Sequence, residues 1–211
     1  MSYPYNPSLY SEEHELFRET LRRFIRDEIE PNVDRWLDNH GIENEFWLKA
    51  GAAGILGVDI PEDYGGPGGD FLHRIVLAEE IGYSPAGASM APALAAGNGQ
   101  GRDPLRSRDH GTDFQNTRFK LAEIKTELAV GRAFLDEIVR DYTANGRLDT
   151  LKCAMAKMWV CEMEGRVIDQ CVQLHGGAGY MDEYPVSRLY TAARIFAGTS
   201  EIMRLIVGRT I

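Results

Sequence analysis

The chain has 211 residues, 44% hydrophobic and 26% charged, and its 32 acidic against 23 basic side chains give a formal net charge of −9. Such a balance belongs to folded proteins rather than disordered or fibrous ones, and it lacks the basic footprint that nucleic-acid binding requires. No stretch of about 18 apolar residues occurs, so no membrane span is expected. Met1-Ser2-Tyr3-Pro4-Tyr5 has neither a basic nor an apolar leader region, and Cys153, Cys161 and Cys171 form no CxxC pair. Reduced thiols and a cytoplasmic location are the expectation.

From Ser11 to Glu30 the apolar residues Leu16/Phe17, Leu21, Phe24/Ile25 and Ile29 recur at helical spacing, with Glu12 and Glu13 suited to the first turn. Pro31 ends that helix or starts the next. A short helix is predicted over 44–53 around Phe46, Trp47 and Leu48, with Gly54 as its stop. Residues 57–69 (GVDIPEDYGGPGG) read as a glycine-rich loop, and Gly54 to Ile60 is the one brief extended candidate. Leu72, Ile75, Val76, Glu79 and Glu80 then predict a helix over about 70–82.

Residues 95–113 (AAGNGQGRDPLRSRDHGTD) have almost no apolar content and the composition of a linker. They divide the chain into a helical region at 1–94 and another at 114–211. In the latter, Leu121, Ile124, Leu128, Gly131, Leu135, Ile138 and Tyr142 alternate by three and four residues, a bundle seam sustained over three heptads. The Asn145-Gly146 turn leads to a second long helix over about 149–174, carrying Leu151, Met155, Met158, Trp159, Ile168 and Val172. Shorter helices are predicted near 183–194 and 199–208. Short connections imply antiparallel packing, and the fold class is all-α.

Gly176-Gly177-Ala178-Gly179 follows a helix end, where exposed backbone N–H groups can approach a phosphate. The same residues read equally well as a helix C-cap with a close helix crossing. No strand precedes them, so they are not a dinucleotide fingerprint, and Gly97-x-Gly99-x-Gly101 fails the same test. No metal set is predicted. Cys153 and Cys161 share a helix face with His175 beyond, but neither ExxH nor HxxxH occurs, and such cysteines are core residues.

Longer strings carry a resemblance. Gly57-Val58-Asp59-Ile60-Pro61-Glu62-Asp63-Tyr64-Gly65-Gly66 with Ala78-Glu79-Glu80-Ile81-Gly82 resembles the N-terminal helical domain of the acyl-CoA dehydrogenase family. Residues 114–123 (FQNTRFKLAE) are similar to the opening of that family's C-terminal bundle. Gln173-Leu174-His175-Gly176-Gly177-Ala178-Gly179-Tyr180 resembles its signature loop, and Ala197-Gly198-Thr199-Ser200-Glu201-Ile202 with residues 205–209 (LIVGR) its closing helix. The four motifs stand in the family's order.

The resemblance implies FAD-dependent α,β-dehydrogenation of an acyl-CoA thioester, with electrons passed to electron-transfer flavoprotein. It implies FAD contacts by Gln173, Gly176 and Gly177 toward a neighbouring subunit, by Thr199 and Glu201 from the last helix, and by Gln115. A homo-oligomer, dimer or tetramer, with the second-half helices at its interface follows from the same resemblance. Two departures accompany it. Family members run to about 380 residues, so a middle β-domain and the first helix of the C-terminal domain have no counterpart here; the junction falls within 95–113. The usual catalytic glutamate precedes Gly-Thr in the closing motif, and that position is Ala197. Some subfamilies place the base on the helix that is missing here, so no catalytic residue is assigned. The implied activity is impaired in this shortened chain, and a non-catalytic helical oligomerisation module derived from the family is the alternative.

Overall fold

The structure is a computed structural model that describes residues 6–39, 41–84, 115–181, 184–189, 194 and 198–211. The predicted linker at 95–113 lies outside them. Every regular element among the described residues is helical, as the sequence implies. They form two compact units, one within Tyr10–Leu94 and the other within Ala95–Ile211 together with residues of the first nine.

In the first unit, α1 (Glu12–Phe24) starts after Ser11, whose extended backbone marks the N-cap, and carries Glu12, Glu13 and Glu15 against its positive end. Its buried positions are His14, Arg18 and Leu21. The predicted stripe is therefore rotated: Leu16 is 64% exposed, while two polar side chains point inward. The reason lies across the interface on α4 (Phe71–Tyr83). Arg18 donates to Glu79 and Glu80, each at 2.9 Å, and Arg22 reaches Glu80 at 3.0 Å. Burial alone pushes the Glu80 carboxyl up, toward about 8. Each of its oxygens accepts from a guanidinium group, Oε1 from Arg18 and Oε2 from Arg22.

The predicted helix to Glu30 is broken in register rather than straight. A π turn over Ile25–Ile29 is followed by a 3-10 turn at Glu30–Asn32 that contains Pro31. Proline has no N–H to continue the ladder, and the wider turn accommodates the change. Ile25 and Ile29 nonetheless enter one core with Val33 and Trp36 of α2 (Val33–Asp38) and Phe46 and Ala50 of α3 (Asn44–Ala52). Trp36 meets Phe46 edge-on at 4.8 Å, and its indole N–H donates to Glu43.

The extended candidate at Gly54–Ile60 is a series of turns, not a strand. The Val58 and Ile60 carbonyls accept from Gly69 and Gly68, at 2.8 and 2.9 Å, folding the loop back on itself. That fold requires a glycine at 66, where a Cβ would stand 2.2 Å from the Ile60 carbonyl oxygen.

In the second unit, α5 (Gln115–Asn145) and α6 (Thr150–His175) run antiparallel. Arg166 pairs with Glu127 at 3.3 Å near one end, and Lys152 pairs with Asp141 near the other. Asp149 caps α6, accepting from Leu151 and Lys152 N–H at 2.8 and 3.1 Å. The seam holds only in part. Ile124 is buried and packs with Leu128 against Val160, Met163 and Val167. Leu135 lies at the surface, and beyond Gly131 the buried positions are Asp136 and Val139. A straight helix drifts by about 20° per heptad, and the buried Asp136 is paired within α5 by Arg132, one turn earlier, at 2.7 Å. Of the helix predicted at 183–194, the described part is the single turn α7 (Pro185–Arg188). The last helix is α8 (Ser200–Gly208), which packs on α6.

Candidate functional site

Helix α6 ends because Gly176 takes φ +58°, a backbone that L side chains rarely adopt, and its N–H closes on the Gln173 carbonyl. A 3-10 turn over Gly176–Tyr180 follows. Gln173, Gly176, Gly177 and Tyr180 face solvent. Among the described residues, a Cβ built on Gly176 or Gly177 would meet nothing within 4 Å, so the space above the turn is open to them. Gly179 serves the other purpose: it is buried, and a Cβ there would lie 2.6 Å from the Val172 carbonyl oxygen. Both readings of the motif therefore hold, a close backbone contact at Gly179 and an open face at Gly176-Gly177. His175 is anchored to the Cys171 carbonyl through Nδ1 at 2.7 Å, which leaves Nε2 as its free ring nitrogen.

The second group lies at the start of α8. Thr199 is the N-cap, its hydroxyl oxygen accepting from the Ile202 N–H at 3.3 Å. Glu201 is exposed. Its own backbone N–H and the Thr199 hydroxyl hold its carboxyl below the usual range, with Arg204 adding to the effect. Arg204 also reaches Glu162 on α6 at 3.0 Å, and Arg194 pairs with the same carboxylate at 3.3 Å.

These bonds set where the expected residues stand. Glu162 precedes Gln173 by about 16 Å along the helix axis, at 1.5 Å per residue. The glycine turn and α8 are thus tied to different stretches of α6, and no hydrogen bond among the described residues joins them. Gln115 begins α5 and is exposed. The antiparallel register, fixed by Arg166 and Glu127, brings its end of α5 to the glycine-turn end of α6. Ala197 falls outside the described residues.

Spacing gave no warning of three buried polar atoms in this unit. Glu164 Oε2, Gln170 Oε1 and Ser200 Oγ have no hydrogen-bond partner among the described residues. Burial pushes the Glu164 carboxyl up to about 7, against the pull of Lys157. The cysteines are free thiols; burial raises Cys153 and Cys171, which suits inert interior residues.

Comparison with known proteins decides the family. The sequence-family model described as acyl-CoA dehydrogenase, N-terminal domain, matches residues 11–122, and that of the C-terminal domain matches 102–211. The chain belongs to the acyl-CoA dehydrogenase family. The two domain matches overlap, which leaves no interval between them for a further domain. The long-chain specific acyl-CoA dehydrogenase, mitochondrial, of Rattus norvegicus is 24% identical over 376 positions, covering 96% of this chain and 87% of that protein. An alignment longer than the chain means that the acyl-CoA dehydrogenase of the rat has residues with no counterpart here. The isovaleryl-CoA dehydrogenase of Oryza sativa is 37% identical over 65% of this chain, which spans 33% of that protein. Among solved structures, an acyl-CoA dehydrogenase from Geobacillus kaustophilus superposes with a TM-score of 0.79 at 21% identity, covering 95% of this chain and 98% of that one. The electron transferring flavoprotein of Acidaminococcus fermentans gives 0.76 at 15% identity, with 99% of each chain covered. Both likenesses concern the fold. No helix among the described residues is long and apolar enough to cross a membrane.

Proposed function

We propose that this acyl-CoA dehydrogenase-family chain keeps the nucleotide end of an FAD site between two copies of itself and has largely lost acyl-CoA oxidation. The observation that carries the reading is the open turn at Gly176-Gly177, exposed at a helix end with no side chain of the described residues above it. Backbone N–H groups in such a turn suit a pyrophosphate, and they do so without a basic side chain, in keeping with the acidic chain. Gln173, Gly176 and Gly177 would hold the adenosine diphosphate portion, with Gln115 at the same end of the bundle. Thr199 and Glu201 would hold the corresponding end of a second copy's cofactor, which fits their separate station on α6.

FAD, where bound, supplies the hydride acceptor for the family's chemistry. The protein must supply a carboxylate for the α-proton of the thioester, and at the usual position Ala197 offers a methyl group. The overlapping domain matches also leave no segment to wall the flavin ring. Exposed Phe119, Val130, Ile202 and Leu205 favour a homo-oligomer, dimer or tetramer, in which second-half helices cover one another. Free cysteines suit the cytoplasm. In an active relative-like assembly, acyl-CoA is the substrate and electron-transfer flavoprotein the electron acceptor.

Calorimetry with ADP and with FAD tests the reading, alongside turnover of an acyl-CoA panel with added FAD and an artificial electron acceptor. Comparable binding of ADP and FAD, weakened at least tenfold by Gly177→Val, is expected, with no turnover by the chain or by Ala197→Glu. Robust oxidation by the unmodified chain overturns the proposed loss of activity, and turnover only in Ala197→Glu assigns the deficit to the base alone.

A further inference from the structure

Helices α1 and α4 begin in the same way, and their first turns interlock. Each has a polar N-cap followed three residues later by histidine: Ser11 and His14, Asp70 and His73. Each histidine ring bends back over its own N-cap. The Ser11 N–H donates to His14 Nδ1 at 3.0 Å, and the Asp70 N–H donates to His73 Nδ1 at 3.2 Å. The two rings lie 4.4 Å apart, centroid to centroid, with Phe17 5.3 Å from His73. Both histidines are buried, whereas the Asp70 side chain is 59% exposed.

One oxygen collects these groups. Asp70 Oδ1 stands 3.0 Å from His14 Nε2 and 2.8 Å from His73 Nδ1, while it also accepts from the His73 backbone N–H at 3.0 Å. The one in-plane lone pair of His73 Nδ1 can take the Asp70 N–H or a metal ion, not both, and its role toward Asp70 Oδ1 at 2.8 Å is set by the tautomer. A proton on that nitrogen or a metal ion beside it each satisfies the contact with the carboxylate. All three candidate ligand atoms lie within 4.8 Å of one another. Tetrahedral ligands about 2.1 Å from one ion stand roughly 3.4 Å apart, so the two carboxylate contacts at 3.0 and 2.8 Å would open slightly and the two ring nitrogens would draw together.

We propose that His14 Nε2, Asp70 Oδ1 and His73 Nδ1 form a binding site for a borderline divalent cation of the zinc class, which staples α1 to α4. Two imidazoles with one carboxylate select zinc, cobalt or nickel over calcium and magnesium, which prefer all-oxygen shells. Burial fixes the two rings before the ion arrives, and the exposed carboxylate leaves an entry path and room for water as further ligand. Metal on His14 Nε2 shifts the ring proton to Nδ1, where the Ser11 hydroxyl at 2.7 Å accepts it and orients the ring in place of the Ser11 N–H bond to that nitrogen. The two positive helix ends work against a cation; Asp70 and the Glu12, Glu13 and Glu15 carboxylates of the first turn of α1 offset them. The site lies wholly within the first unit and is independent of the nucleotide site.

The test titrates zinc into the chelator-treated full chain by calorimetry, with cobalt as a spectroscopic substitute. His14→Gln and His73→Gln keep the capping box, which accepts glutamine at that position, and Asp70→Asn keeps the N-cap, so the fold survives each change. One zinc per chain is expected, with at least a tenfold loss of affinity in every variant. Zinc should raise the melting temperature of the parent and leave that of the variants in place. Imidazole nitrogen NMR of the parent protein supplies a readout without mutation: the His14 and His73 signals shift on adding zinc, and those of His40, His110 and His175 do not. Absence of saturable binding, affinity unchanged in the variants, or a thiolate-to-cobalt band from the cysteines would overturn the site.

Discussion

Replacing Glu164 by glutamine should make the chain more stable at alkaline pH and change little in acid. Glu164 is buried on α6, its Oε2 has no hydrogen-bond partner among the described residues, and burial lifts its pKa from 4.5 to about 7. The native carboxyl thus keeps a proton that the unfolded chain releases near pH 4.5. Its contribution to stability is fully present below pH 4.5, declines as pH rises toward 7, and is gone above that. At 1.36 kcal/mol per pH unit the decline is on the order of 3 kcal/mol. Glutamine cannot ionise, so Glu164→Gln escapes it. Any fixed cost of its amide is the same at every pH and cancels in the comparison. Urea unfolding of both proteins at pH 5 and pH 8, with hydrogen exchange of the α6 amides as a local check, reads the difference. Stability curves that stay parallel between the two pH values would refute the reasoning, since they would mean that Glu164 is ionised in the native protein.

Three further outcomes test the fold. Arg18→Met leaves Glu79 and Glu80 without their shared guanidinium; a loss of about 3–5 kcal/mol is expected, larger at pH 8 than at pH 5, by urea titration. Gly66→Ala drives a methyl group into the Ile60 carbonyl and should cost about 1–3 kcal/mol by thermal unfolding, whereas Gly177→Ala, in open space, should cost little. Asp149→Ala removes the cap of α6 and should cost about 1 kcal/mol, with Asp149→Asn restoring most of it.

Helical periodicity by itself determined the fold class and the extent of the main helices. The α4, α6 and α8 boundaries lie within one or two residues of their predicted positions, because capping residues such as Asp149 and Thr199 and the stop at Gly176 act locally. The motif strings likewise identified the family and the glycine turn. Which face of a helix turns inward was a different matter. Leu16 and Leu135 match the apolar pattern yet lie at the surface, while Arg18 and Asp136 are buried. Periodicity counts apolar residues, and it cannot see that a buried charge is made tolerable by a partner such as Glu80, 62 residues away. The His14–Asp70–His73 cluster escaped for the same reason. Its members come from two helix starts 56 residues apart, and no local spacing records that packing brings their ring nitrogens to one carboxylate oxygen.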